Sequence, residues 1–142
     1  MIAYVQGIVG DKNQNELTVE VGGVGFLLFC SMTSMQRIPE KGAQIKIYTY
    51  LNVREDAMEL YGFTTTEEKE MFLRLITVSG IGTKTALGIL GSMPLKDLTY
   101  AIVTGDSTTL SRAPGVGKKT AQRIALELKE NYLPIRPLII GG

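Results

Sequence analysis

The sequence predicts an α+β protein in two parts, a small closed β-barrel followed by an all-α unit. Three observations predict it. Residues 1–63 alternate apolar and polar side chains between clusters of turn residues. After Phe63 the apolar spacing changes to that of helices. In this second part Ser79-Gly80-Ile81-Gly82-Thr83-Lys84-Thr85-Ala86 recurs 35 residues later as Pro114-Gly115-Val116-Gly117-Lys118-Lys119-Thr120-Ala121.

In the first part, Glu16-Leu17-Thr18-Val19-Glu20-Val21 and the run from Gln44 to Leu51 read as half-buried strands, and the apolar run from Val24 to Cys30 as a strand covered on both faces. Asp11-Lys12-Asn13-Gln14-Asn15 and Gly22-Gly23 are turn chemistry between them. Five or so short strands in about 60 residues fit a small closed barrel, with the OB-fold a leading candidate. Gly7, Gly10, Gly25 and Gly62 would serve its bends.

The second part begins with Thr65-Thr66-Glu67-Glu68, a capping-box spelling, followed by Met71, Phe72, Leu75, Ile76 and Val78 at helical spacing. Gly80-Ile81-Gly82 breaks that helix and the next starts at Thr83. Ser92-Met93-Pro94 opens a third, with Pro94 in its first turn and Leu95, Leu98, Ile102 and Val103 on its apolar face. Gly105 ends it, and Asp106-Ser107 caps a fourth helix through Leu110. Gly115-Val116-Gly117 interrupts again, and a last helix runs from 118 to about 132, stopped by Pro134 and Pro137. The expected organisation is thus a barrel at 1–63, a helical unit at 64–133 and the start of a linker or tail at 134–142.

Composition narrows the function. The chain has 142 residues and no histidine, which removes the commonest general base and the commonest metal ligand. Cys30 is the only cysteine, so neither an internal disulfide nor a cysteine metal site is expected, and its apolar neighbours predict a buried thiol. No cofactor or metal is expected. No run approaches the roughly 20 apolar residues of a membrane span. The N-terminus lacks a charged leader with a long apolar core, so the expected compartment is cytoplasmic. The net charge of +1 divides unevenly: residues 1–63 carry five basic and seven acidic side chains, and residues 64–142 carry ten basic and seven acidic. The second part is therefore the expected partner of a polyanion.

The repeated run has the chemistry of phosphate binding. Glycines allow a tight turn and close approach of a ligand to the backbone. The helix that follows opens with unpaired N–H groups at its positive dipole end. Two copies suit a polyanion with regularly spaced phosphates. A Walker A reading of Gly115 to Thr120 fails, because its first glycine would fall on Arg112 and Lys119 occupies the Ser/Thr position.

These residues resemble a tandem helix-hairpin-helix DNA-binding motif. The resemblance implies sequence-independent phosphate contacts from Gly80, Ile81, Gly82, Thr83 and Lys84, and from Gly115, Val116, Gly117, Lys118, Lys119 and Arg123, with Ile81 and Val116 packed inward. Together with Val21-Gly22-Gly23-Val24-Gly25 and the run from Asn52 to Phe63, the chain resembles the RuvA family, in register from Met1 to about Glu130. That resemblance implies an OB-like barrel ahead of the two hairpins and a non-enzymatic scaffold for four-way (Holliday) junction DNA in recombination and repair. It implies a homotetramer, or an octamer of two tetramers face to face. It makes Glu55 and Asp56 an acidic pin at the junction centre. It also implies a RuvB-type hexameric ATPase motor and a RuvC-type resolvase as partners. The family's third domain, which engages the motor, would follow a linker beginning near the end of this chain, so junction binding without efficient motor-driven migration is expected. Thr83 departs from the proline often found there. The alternatives are a generic duplex-binding module, or a glycosylase or nuclease, for which Asp106 and Glu127 are the nearest carboxylates.

Overall fold

The structure, a computed structural model, describes residues 1–132; the tail expected at 134–142, with Pro134 and Pro137, lies outside the described residues. The first part forms strands β1 (Tyr4–Asn13), β2 (Glu16–Val21), β3 (Val24–Cys30), β4 (Gln44–Arg54) and β5 (Ala57–Phe63). They close in the order β1-β2-β3-β5-β4, antiparallel except at the β3–β5 seam. This is the OB-like arrangement that the alternating pattern predicts. Val5, Val9, Leu17, Val19, Leu28, Ile47 and Leu60 fill the interior. A Cβ at Gly62 would lie 2.8 Å from Ile47 Cγ2 and 3.1 Å from Leu28 Cδ1, so glycine there answers packing as well as curvature.

The long β4–β5 hairpin outruns the barrel. Its pairing continues to Arg54↔Ala57, whereas β1 pairs with β4 only from Gln44 to Tyr48 and β3 with β5 only from Leu60 to Gly62. Beyond those points it is a two-stranded arm, on which Val53 and Met58 are 58% and 69% exposed. Glu55 and Asp56 form its tip.

Two expectations need correction. The apolar run of β3 is not covered on both faces: Val24 and Leu27 are exposed, and on the outward face only Phe29, against Tyr61, is partly covered by the helical side. Between β3 and β4 the chain also forms a helix that the apolar periodicity does not announce, α1 (Met32–Arg37). At six residues it is too short to display a period. Its only local signal is Ser31, whose hydroxyl accepts the Ser34 amide at 3.0 Å.

The second part follows its predicted order: α2 (Thr66–Leu75), α3 (Thr83–Ser92), α4 (Leu95–Thr104), α5 (Ser107–Leu110) and α6 (Lys118–Leu128), which tightens into a 3₁₀ turn over Lys129–Tyr132. Pro94 is the N-cap of α4, one residue before its first turn. The capping box of α2 is half made. Thr65 accepts the Glu68 amide at 3.1 Å, but the buried Glu68 carboxylate accepts the hydroxyls of Ser31 and Ser34. A residue spelled as a cap thus joins α2 to α1. Ser34 extends the same network, accepting the Thr64 amide at 3.1 Å.

Barrel and helices share a core. Tyr61 and Phe63 of β5 belong to one buried cluster with Phe72, Leu75, Ile89, Ile102, Ile124 and their neighbours. Phe72 lies 4.9 Å from the Phe63 ring, 5.4 Å from Tyr61 and 5.7 Å from Tyr50, ring centre to ring centre. No helix among the described residues is long and apolar enough to cross a membrane.

The Cys30 thiol is fully buried, and burial, helped by the Glu68 carboxylate, pushes it up to about 12. Only the thiolate attacks a disulfide reagent. At pH 8 native Cys30 should therefore react at least about a hundredfold more slowly than in urea-unfolded chain. A colorimetric thiol assay checks this, and equal rates would contradict the burial.

Candidate nucleic-acid interface

The two glycine hairpins are built alike, bond for bond. In the first, the Val78 amide donates to Leu75 O at 3.1 Å and the Ile81 amide to Val78 O at 3.0 Å. At the offset of 35 residues, the Ala113 amide donates to Leu110 O at 3.2 Å and the Val116 amide to Ala113 O at 3.1 Å. Gly80 and Gly115 hold the third positions of these turns at φ +92° and +77°, the left-handed values of a type II turn. Gly82 and Gly117 then extend at φ −93° and −86° and become the N-caps of α3 and α6, neither with a side-chain cap. The Ala86 and Ala121 amides close the first helical turns onto Gly82 O and Gly117 O at 3.0 and 2.9 Å.

This geometry decides what the hairpins can do. The first amides of α3 and α6 have no carbonyl one turn behind them and no capping side chain. A Cβ placed on Gly82 or Gly117 would meet nothing within 4 Å, so the backbone faces open space on the capping side. Ile81 and Val116 point the other way, each 5% exposed, and anchor the hairpins in the shared core. The result is two helix starts with open amides at their positive dipole ends, each beside exposed lysines: Lys84 at one, Lys118 and Lys119 at the other. Among the described residues none of these lysines is in an ion pair.

Equivalent positions meet across the pair. Arg123 of α6 donates from Nη1 to Ser79 O of the first hairpin at 3.0 Å. Its counterpart in α3 is Gly88, where a Cβ would lie 3.9 Å from Pro114 O of the second. Each helix thus approaches the other's hairpin, and the two hairpins stand side by side. It also gives Arg123 a structural task that its exposed position in the sequence pattern does not suggest.

Thr83 is only partly exposed, and its hydroxyl is bonded to Tyr61 Oη at 2.8 Å. Tyr61 also bonds Glu59 Oε1 at 2.9 Å, and Arg54 Nη2 lies 3.4 Å from the same oxygen. Tyr61 and Glu59 escape sequence reasoning, since on β5 they read as ordinary strand residues. The structure keeps Glu55 and Asp56 apart from the hairpins, exposed at the tip of the β4–β5 arm.

The two carboxylates nearest the hairpins in sequence sit in ordinary helical roles. Asp106 is the N-cap of α5, accepting the Thr109 amide at 3.1 Å and its hydroxyl at 2.7 Å, and those bonds hold its carboxyl below the usual value. Glu127 is on the exposed face of α6. Among the described residues no three His, Cys, Asp or Glu side chains are grouped to hold a metal ion.

Comparison with known proteins finds relatives for both parts of the chain. Residues 1–62 match the family model described as RuvA N terminal domain, and residues 72–130 match SAM-like Helix-hairpin-helix tandem. The Holliday junction branch migration complex subunit RuvA of Clostridium tetani is 44% identical over 132 residues, covering 93% of this chain and 67% of that protein. The subunit of the same name from Acetivibrio thermocellus is 47% identical over 130 residues, covering 92% and 64%. That from Amoebophilus asiaticus is 45% identical over 129 residues, covering 91% and 66%. The chain thus spans about two thirds of the length of these relatives.

The turns make a prediction about stability. Gly115→Ala places a Cβ at φ +77° and should cost about 1–2 kcal/mol. Gly88→Ala, inside α3 with only an ordinary contact, should instead stabilise by about 0.4–1 kcal/mol. Urea midpoints should fall in the order Gly88→Ala, wild type, Gly115→Ala; any other order contradicts the assigned turn.

Proposed function

Since the chain belongs to the RuvA family, we propose that it is a non-catalytic scaffold that binds four-way junction DNA and holds it open for branch migration driven by a separate motor. The observation that carries this is the pair of bond-for-bond equivalent hairpins standing side by side on the same core as an acidic-tipped arm. The hairpins supply grip without reading sequence, because phosphate contacts position a protein and carry no base information. That suits a scaffold past which any sequence must travel. The residues proposed to hold phosphate are the amides of Gly80 to Lys84 and of Gly115 to Lys119, with Lys84, Lys118 and Lys119 supplying charge. Arg123 reaches the bound backbone from the brace it makes to Ser79.

Glu55 and Asp56 do the opposite. They are exposed and carry two negative charges per chain at the end of an arm. In a fourfold assembly, four such tips meet at the crossover, where phosphates are densest. Their repulsion opposes binding but separates strands before they pair anew. The homotetramer, or an octamer of two tetramers, is part of the same proposal. So are a RuvB-type hexameric ATPase and a RuvC-type resolvase as partners. None of the described residues is assigned to contact them.

The test is a titration of a four-way junction against linear duplex of equal length at matched salt. Preference for the junction supports the proposal and equal affinity sinks it. On duplex, log affinity should fall with log salt by about 0.9 for each phosphate held. Glu55→Gln with Asp56→Asn should leave assembly intact and tighten junction binding about fivefold, since exposed charge pairs are worth on the order of 1 kcal/mol. Weaker or unchanged affinity in gel shift would remove the pin from the mechanism.

A further inference from the structure

One set of polar contacts is used neither by the hairpin turns nor by the acidic tip. It runs from the root of the tip, Arg54, to Glu59 at 3.4 Å, from Glu59 to Tyr61 at 2.9 Å, and from Tyr61 to Thr83 at 2.8 Å. Strand geometry makes the path possible. Residues 59, 61 and 63 of β5 share one face, so the face that begins beside the acidic turn ends at Phe63 against Phe72. Both inner bonds can be made at once, because the phenolic proton serves one and the Thr83 hydroxyl proton the other. Burial raises the Tyr61 phenol above its ordinary value, so it keeps its proton at neutral pH. The Glu59 side chain is 19% exposed and that of Arg54 53%, so the inner links are the shielded part of the path and the ion pair adds little.

Thr83 is the first residue of α3, within the first hairpin's open amides. The matching position of the second hairpin is Lys118, an exposed side chain with no hydroxyl to offer. Only the first hairpin is therefore tied to the barrel in this way. Its counterpart gains no such bond.

We propose that Thr83 is a positioning residue: through Tyr61 and Glu59 its hydroxyl braces the acidic arm relative to the first hairpin, holding the tip against phosphates that repel it. The inference rests on the reading of the hairpins as phosphate grips and of the tip as a pin. Linear duplex needs the grips alone, and the brace is idle there. At a junction the grips fix the arms while the tips face the crossover, and the repulsion loads the β4–β5 arm. Without the brace the arm yields, the repulsion relaxes and the strands are pushed apart less.

Thr83→Val removes the hydroxyl and keeps the shape; Thr83→Ser keeps the hydroxyl. Three readouts separate the brace from a merely structural role: junction affinity, linear-duplex affinity, and 2-aminopurine fluorescence from base pairs at the crossover. Thr83→Val should raise the ratio of junction to duplex affinity about threefold, the worth of one modest hydrogen bond, and lower the 2-aminopurine signal. Thr83→Ser should behave as wild type, and Tyr61→Phe as Thr83→Val. In the Glu55→Gln, Asp56→Asn background, Thr83→Val should leave that ratio and the 2-aminopurine signal unchanged. Equal weakening of junction and duplex binding would make Thr83 part of the grip alone and overturn the brace. So would a Thr83→Val protein identical to wild type in all three readouts, or a change in that ratio that survives pin neutralisation. If pin neutralisation itself leaves junction binding unchanged, the pin reading falls and the brace with it; if only the Thr83 arms fail, the brace falls alone.

Discussion

Phe72 on α2 stands among Tyr50, Tyr61 and Phe63 on the outer face of β4 and β5, with ring centres 4.9 to 5.7 Å away. Nearly everything else in the molecule depends on that contact. A barrel of about 60 residues buries little apolar surface by itself and is marginal as an independent unit. Here its outer aromatic face is the floor of the helical core, so Tyr61 and Phe63 are counted in the same buried cluster as Ile89 and Ile124. Offset and tilted aromatic pairs add about 0.5–1.5 kcal/mol each beyond their buried area. The Glu68 carboxylate, held by Ser31 and Ser34, fastens the other side of α2 to α1. Two sequence units with different periods are thereby joined at both flanks of one helix.

The consequence is a fixed relation between features of opposite charge. In the proposed function the hairpins attract through backbone amides, whose partial charges persist at any pH and need no side chain to be ordered first. The arm carries the exposed carboxylates of Glu55 and Asp56 at its tip, which in the proposed function repel phosphate. Net charge hides both, since the whole chain sums to +1. A scaffold past which DNA must slide profits from this division. Attraction spread over many identical phosphates has no preferred register, and a localised repulsion gives the junction a centre. Such a division works only if grip and tip cannot drift apart, which is what the shared aromatic core provides.

How much of this is legible in the letters varies with how local the constraint is. The hairpins are fully legible, because a type II turn at φ +92° and +77° demands glycine and the buried Ile81 and Val116 demand apolar residues, so geometry and spelling coincide. The closed barrel is legible from alternation. Helix α1 is not, since six residues show no period and its cap is one serine. Glu68 is misread for a more instructive reason: the same spelling serves a local capping box and a long-range acceptor, and only tertiary packing chooses. The exposed side of β3 is misjudged because an apolar run states what a strand is made of, not which neighbour arrives to cover it. Of the candidate site, the amides and lysines are legible, whereas Arg123's bond to Ser79 and the Tyr61–Thr83 bond join residues far apart in the chain.

Those last two bonds break the symmetry that the repeat proclaims. Both fall on the first hairpin: Arg123 holds Ser79 O from one side and Tyr61 holds Thr83 Oγ1 from the other. The second hairpin is faced by Gly88 of α3 and carries Lys118 in place of Thr83, neither of which can make the same bond. A duplicated unit has therefore kept its backbone turn in both copies while its side chains have diverged. The shared turn is what the proposed binding of a uniform phosphate backbone requires. The divergence is what a single barrel on one side of the pair requires, since only one of two equivalent hairpins can lie against it. The first copy is bonded to the barrel through Tyr61, and the second, free of those ties, carries its two exposed lysines without constraint from the barrel.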